Sequence, residues 1–490
     1  MVHGKVPALQ VIVLGSGGGP REDNTTAFLV RSTALQWSKG SVLAVDAGVQ
    51  LAAIARILEP YLPEDDVRPA KLTGGPFEGL EIPHSSADAN AAYITGTLVD
   101  TYLITHPHLD HISGFVVNTA SLSGSRPKRL AGLPATILAF KTHIFNNIIW
   151  PNLSDENNGA GLVTYMRLVD GGSPAADEGY LELCEGLAVK TWGVSHGHCI
   201  EGHSHRAMNT NLHAVSGNLD GVAPSQTEPS PMRRSISRES PNSYQHRNRR
   251  GSGVNYTSGN VYQVVEQREV KCVYDSSAHF IRDMATGQEV LIFGDVEPDS
   301  LSLDPRNGRI WLDAAPRIVS GKLRAIFIEC SYDDSRDDSI LFGHMAPRHL
   351  AAEFKALAAV VAAYKGDTQE IKLGKRKRPS NGNSIKEQPA SYRRSPRLGG
   401  SPVPGMRSAA ASPLSQPPDA EPQAAQTSIP IHLVERPLRG LKIVIVHVKS
   451  RLDDGPDEGD TILDQLNEYE AEMKLGCEFI ISRVGQSLYL

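Results

Sequence analysis

Five short apolar stretches, residues 99–105, 187–194, 289–293, 325–328 and 442–446, each run out within two residues of a His, Asp or Glu. Apolar, β-branched runs of this length read as strands. Side chains at strand ends are held by rigid backbone, so the recurrence predicts a sheet whose rim carries a polar site. Residues 9–14 read as a further strand, 26–31 and 41–46 as a hairpin, and 49–58 as a helix. Helix patterns at 345–364 and 461–475 would cover the sheet faces. The expectation is a sheet-core α/β or α+β enzyme.

Two other stretches, 205–260 and 366–430, are crowded with Ser, Pro, Asn, Gln and Arg and lack apolar periodicity, so they read as disordered inserts. Of the 490 residues, about 370 then remain for one folded domain. The formal net charge of −6 hides an asymmetry: the inserts carry about +9 and the remainder about −15. An acidic folded part argues against nucleic acid as partner and suits carboxylates that hold cations. Apolar runs fall short of the ~20 residues of a membrane span, and residues 1–30 lack a signal pattern, so a soluble, intracellular protein is expected. Five scattered cysteines without a CxxC pair predict buried thiols rather than a disulfide framework or zinc finger.

The densest chemistry is Thr105-His106-Pro107-His108-Leu109-Asp110-His111-Ile112-Ser113-Gly114, with three imidazoles and a carboxylate in six residues directly after a strand. Imidazole nitrogen and carboxylate oxygen suit zinc, and a tight turn lets His106 and His108 reach one ion while Asp110 and His111 reach another. The loop Gly15-Ser16-Gly17-Gly18-Gly19-Pro20 after the first strand lacks the lysine and Ser/Thr of a P-loop, which leaves two readings: a turn at the rim of the site, or a phosphate cradle.

Tyr102 through Ser121 as a whole resembles the signature of the class II cyclic nucleotide phosphodiesterases, best known from fungi, within the metallo-β-lactamase superfamily. Further pieces fall in the order of that family: Val194-Ser195-His196-Gly197, Ile292-Phe293-Gly294-Asp295, Phe327-Ile328-Glu329-Cys330-Ser331, Leu341-Phe342-Gly343-His344 and Val446-His447-Val448-Lys449. With Gly18-Gly19-Pro20-Arg21-Glu22-Asp23-Asn24, the resemblance covers nearly all of the chain outside the inserts. It implies a four-layer αββα sandwich and hydrolysis of 3′,5′-cyclic nucleotides, cAMP first and cGMP second, to nucleoside 5′-monophosphates. Such a reaction uses a hydroxide activated by two zinc ions and ends a cAMP signal. Manganese and iron suit the same donors.

Carried over residue by residue, the resemblance puts His106, His108 and His196 on the first zinc and Asp110, His111 and His447 on the second, with Asp295 bridging both. Asp110 and Asp295 are thereby the catalytic carboxylates. His198, His203 and His205 are rivals of His196; Asp295 has a helix cap as its alternative role, and His447 a satisfied core histidine. His344 is the candidate donor of a proton to the leaving oxygen, with contact to the phosphate or the start of a helix as alternatives. Glu22 and Asn24 either read a purine edge or stabilise a turn. Glu329 and Ser331 are placed to orient ligand histidines.

Two rival functions fit parts of the same pattern: a tRNA 3′ processing endonuclease with a similar histidine cluster, and an inactive scaffold whose basic inserts bind partners. In the inserts, Arg233-Arg234-Ser235-Ile236-Ser237 resembles a target of a cAMP-dependent kinase. Lys375-Arg376-Lys377-Arg378-Pro379-Ser380 and Arg393-Arg394-Ser395-Pro396-Arg397 resemble kinase sites or a nuclear import signal, or serve as solvated linker. The expected compartment is the cytoplasm, with the nucleus as an addition if the import reading holds.

Overall fold

The apolar runs lie in strands buried on both sides. In β1 (Leu9–Gly15), Leu9, Val11 and Val13 pack between two sheets while Ile12 and Leu14 face helices. In β13 (Leu323–Glu329), Ala325 and Phe327 point inward and Ile326 and Ile328 outward to helices. A strand covered on both faces needs apolar residues at every position, which is why these segments are continuous rather than alternating.

The computed structural model describes residues 6–65, 67–120, 126–198, 273–376 and 435–490. Its remaining strands are β2 (Ala27–Ser32), β3 (Val42–Val45), β4 (Ala70–Lys71), β5 (Glu81–Ile82), β6 (Val99–Leu103), β7 (Lys128–Gly132), β8 (Val163–Arg167), β9 (Leu181–Cys184), β10 (Leu187–His198), β11 (Val273–Asp283), β12 (Glu289–Phe293), β14 (Lys442–Val446), β15 (Glu478–Ile481) and β16 (Ser487–Tyr489). Seven-stranded sheets run β16-β1-β2-β3-β6-β7-β8 and β15-β14-β13-β12-β11-β10-β9. Pairing is parallel from β3 to β8 and from β12 to β15, and antiparallel elsewhere in both sheets.

Helices α1 (Leu51–Leu58), α2 (Ala87–Tyr93), α3 (Leu109–Thr119) and α4 (Pro134–Ala139) cover the outer face of the first sheet. Helices α5 (Asn307–Val319), α6 (Pro347–Arg376) and α7 (Glu458–Met473) cover the second. Between the sheets lies a third apolar layer, in which Phe28 and Phe327 meet edge to face at 6.0 Å. The architecture is therefore the expected αββα sandwich.

Two elements run further than their sequence patterns. Strand β10 continues through His198, so His196 lies inside a strand, where a register shift between Ser195 and His198 and the positive φ of Gly197 turn the backbone. Helix α6 continues to Arg376, which carries its backbone into the start of the 366–430 stretch. The 205–260 stretch, the rest of the second stretch from 377, the Arg233–Ser237 motif, His203 and His205 lie outside the described residues. Among the described residues no helix is long and apolar enough to cross a membrane, and Cys184 and Cys330 are buried free thiols.

The inner layer also encloses a histidine outside the polar rim. His279 on β11 is fully buried, its Nδ1 3.0 Å from Thr191 Oγ1 and its Nε2 3.3 Å from Ser277 Oγ. Burial disfavours its imidazolium and pushes its pKa down to about 3. The unfolded chain takes up that proton near pH 6.5 and the folded chain does not, so stability falls as pH drops from about 6.5 towards 3 and is unaffected above. Denaturation midpoints between pH 7 and 4 are expected to fall less steeply for His279→Gln; equal slopes would show that His279 does not carry this dependence.

Candidate metal centre

The strand ends converge on one rim. His106 follows β6, His108 caps the start of α3, and Asp110 and His111 occupy the first turn of that helix. From the second sheet, His196 comes from β10, Asp295 from the turn after β12, Glu329 from the end of β13 and His447 from the residue after β14. Donor atoms of His106, His108, His196 and Asp295 lie within 4.8 Å of one another, and so do those of Asp110, His111, Asp295 and His447. Asp295 is common to both groups. Its Oδ1 lies 3.1 Å from His111 Nε2, and its Oδ2 3.2 Å from His447 Nε2 and 3.5 Å from His196 Nε2.

Two observations fit this donor set to divalent metal. Buried nitrogens are normally paired, yet Nε2 of His106 is buried without a hydrogen-bond partner. Burial also disfavours the charged forms of His106, His108 and His196, the last pushed down to about 4, so their lone pairs are free at neutral pH. Neutral imidazole and ionised carboxylate are the forms that ligate. Burial alone would raise the Asp295 carboxyl, but His111, His447 and His106 hold it well below its usual range.

Asp46, the residue directly after β3, braces the candidate ligands although no motif in the sequence singles it out. It is 1% exposed; its Oδ1 accepts the Thr105 N–H at 2.8 Å and its Oδ2 lies 2.8 Å from His111 Nδ1. Thr105 Oγ1 donates to Asp46 and lies 3.0 Å from His106 Nδ1, so one carboxylate braces two histidines. Burial works against a charged His111, but Asp295 and Asp46 outweigh it and raise its pKa; a bound cation would displace that proton. The available signal was the same strand-end pattern, since the 41–46 strand also stops on an acid. Asp46→Ala is expected to weaken metal binding about 10- to 100-fold by chelator competition, and unchanged affinity would remove this bracing role.

His196 is oriented through Nδ1, 3.0 Å from the Gly343 carbonyl. His447 has a positive φ of 59°, donates its N–H to Ser16 O at 2.7 Å, and places Nδ1 3.0 Å from Ser331 Oγ. Ser331 thus touches a candidate ligand directly. Glu329 instead faces His344: its two oxygens lie 2.9 and 3.0 Å from His344 Nδ1, while it also accepts from Val296 N and Ser331 Oγ. Burial opposes ionisation of Glu329, and His344 more than offsets it, leaving the carboxyl below its ordinary range. His344 lies between two candidate ligands, stacked on His447 with ring centroids 5.1 Å apart and tilted by 56° against His196 at 4.9 Å.

The glycine loop forms the rim of this centre. A Cβ at Gly18 would lie 2.2 Å from the His447 ring, so glycine is what lets the loop close over that imidazole. Asn24 Oδ1 accepts the Ser16 N–H at 3.0 Å and its carbonyl accepts from Gly17, an engagement with the turn. Glu22 is exposed in the short helical turn beside it. His198 is exposed and belongs to neither donor group.

A family model described as class II cAMP phosphodiesterases matches residues 76–184, 222–373 and 426–485. A 3′,5′-cyclic-nucleotide phosphodiesterase of Schizosaccharomyces pombe is 27% identical over 352 residues, covering 72% of this chain and 75% of its own. One from Candida albicans is 24% identical over 98% of this chain and 99% of its own. The crystal structure of unliganded yeast PDE1 superposes with a TM-score of 0.57 at 19% identity, covering 99% of this chain and 100% of that one, so the two share a fold. With its order of motifs matched and its sandwich shared, this chain belongs to the class II cAMP phosphodiesterases.

Proposed function

We propose that this centre hydrolyses 3′,5′-cAMP, with cGMP as a second substrate, to the nucleoside 5′-monophosphate, and that it works with two zinc ions. The observation that carries the reading is the sharing of Asp295 between two complete donor groups. His106, His108 and His196 would hold one ion, Asp110, His111 and His447 the other, and Asp295 both. Bound there, the ions would lower the pKa of water towards neutrality and neutralise the charge on a cyclic phosphate.

The chain's own residues supply the rest. Asp110 and Asp295 balance the cationic charge, with Asp110 Oδ2 3.2 Å from His447 Nε2. His344 gives a proton from Nε2 to the departing 3′ oxygen, and Glu329, held by three donors, stabilises the imidazolium through Nδ1. Ser331 keeps the His447 ring in place. Membership of the family supports this reading over RNA processing, and the complete donor set supports it over an inactive scaffold.

The test is hydrolysis of cAMP and cGMP by the purified full chain, with metal content measured alongside. Release of 5′-AMP that a chelator abolishes is expected. No turnover in the presence of two bound ions would overturn the substrate, and no bound metal would overturn the centre.

A further inference from the structure

Ten of the eleven phenylalanines are buried, each below 9% exposed; Phe342 is 63% exposed. It also has φ +54°, a left-handed conformation that bulky side chains rarely adopt and that persists where surrounding structure imposes it. The residues that follow it belong to the centre. Next to it, Gly343 packs so closely on Gly197 that a Cβ would lie 2.8 Å from Gly197 Cα, its carbonyl holds His196 Nδ1, and the following residue is His344. Beside the Phe342 ring lies the Arg336 guanidinium, 6.0 Å from its centroid and 4.6 Å from that of Tyr332. Tyr332 in turn lies 6.1 Å from the His344 ring. An aromatic and guanidinium row therefore leads from the centre outward to one exposed apolar face.

We propose that Phe342 is the platform on which the base of the cyclic nucleotide stacks, and so a specificity-determining residue. A purine offers a flat π-face whose stacking on an aromatic ring does not depend on hydrogen-bond readout. The proposal rests on the cyclic nucleotide reading above. Its rival is Tyr274, 40% exposed, with its ring 6.5 Å from that of His108.

The experiment compares wild type, Phe342→Ala, Phe342→Tyr and Tyr274→Ala, as full chains, on cAMP and on a 3′,5′-cyclic ribose phosphate that lacks the base. Phe342→Ala is expected to lower the ratio of kcat/KM for cAMP to that for the baseless ester about 10- to 100-fold, mainly through KM, with Phe342→Tyr restoring it. An unchanged ratio, equal losses on both esters, or a ratio lost only in Tyr274→Ala would each overturn the assignment. Metal content equal to wild type excludes collapse of the centre as the cause. Failure of the wild type to hydrolyse cAMP would refute the underlying reading and is separate from these outcomes.

Discussion

Asp295→Ala is expected to leave at most one divalent ion per chain and to lower turnover of cAMP by at least about a thousandfold. No other side chain belongs to both groups of four donors, and its two oxygens approach histidines of each. Its removal also leaves His106, His111, His196 and His447 without the carboxylate that faces all four. Elemental analysis after gel filtration and assay of 5′-AMP check both parts. Two retained ions with undiminished turnover would rule out a shared carboxylate.

His344→Ala is expected to lower kcat for cAMP by about 100- to 10,000-fold while metal content stays at the wild-type level. The structure places this ring against two candidate ligands and ties its Nδ1 to Glu329; these two residues cluster with His196 and Asp295 but belong to neither the His106 nor the His111 group. A proton donor matters in proportion to the basicity of the leaving oxygen. A p-nitrophenyl phosphodiester, whose phenolate departs without a proton, should therefore lose far less than cAMP does. Equal losses on both substrates would remove the proton-donor role. Glu329→Gln, which keeps the shape but not the charge that stabilises the imidazolium, is expected to cost a smaller factor of about ten to a hundred, again with metal retained. Unchanged rate and metal content in that variant would leave Glu329 a structural residue.

The layered architecture was legible because its central strands are buried on both faces, so that apolar runs such as 325–328 and 442–446 stand out from residues at the rim. The donors were legible for a related reason: a strand is rigid, and a His, Asp or Glu at its end is placed by the strand. Helix ends were less legible. The pattern at 345–364 marks the part of α6 that packs on the sheet, whereas its continuation to Arg376 is a matter of backbone that no apolar stripe announces.

Residue order alone thus specified eight of the sixteen strands among the described residues, a set of candidate ligands at their ends, and through the motif series which family the chain resembles. What it left open was decided by contacts across long separations. That Glu329 serves His344 while Ser331 serves His447 follows from how β13 and β14 lie side by side with the 341–344 turn over them. That Gly18 is a rim residue follows from His447 lying against it, 429 positions along the chain. Asp46 shows the limit most plainly, because its role exists only where β3 and β6 pair and bring its carboxylate to Thr105 and His111. Local patterning selects elements, but a side chain's partner is set by packing between elements, where the free energy of burying a charge is balanced only by a neighbour that sequence distance does not reveal.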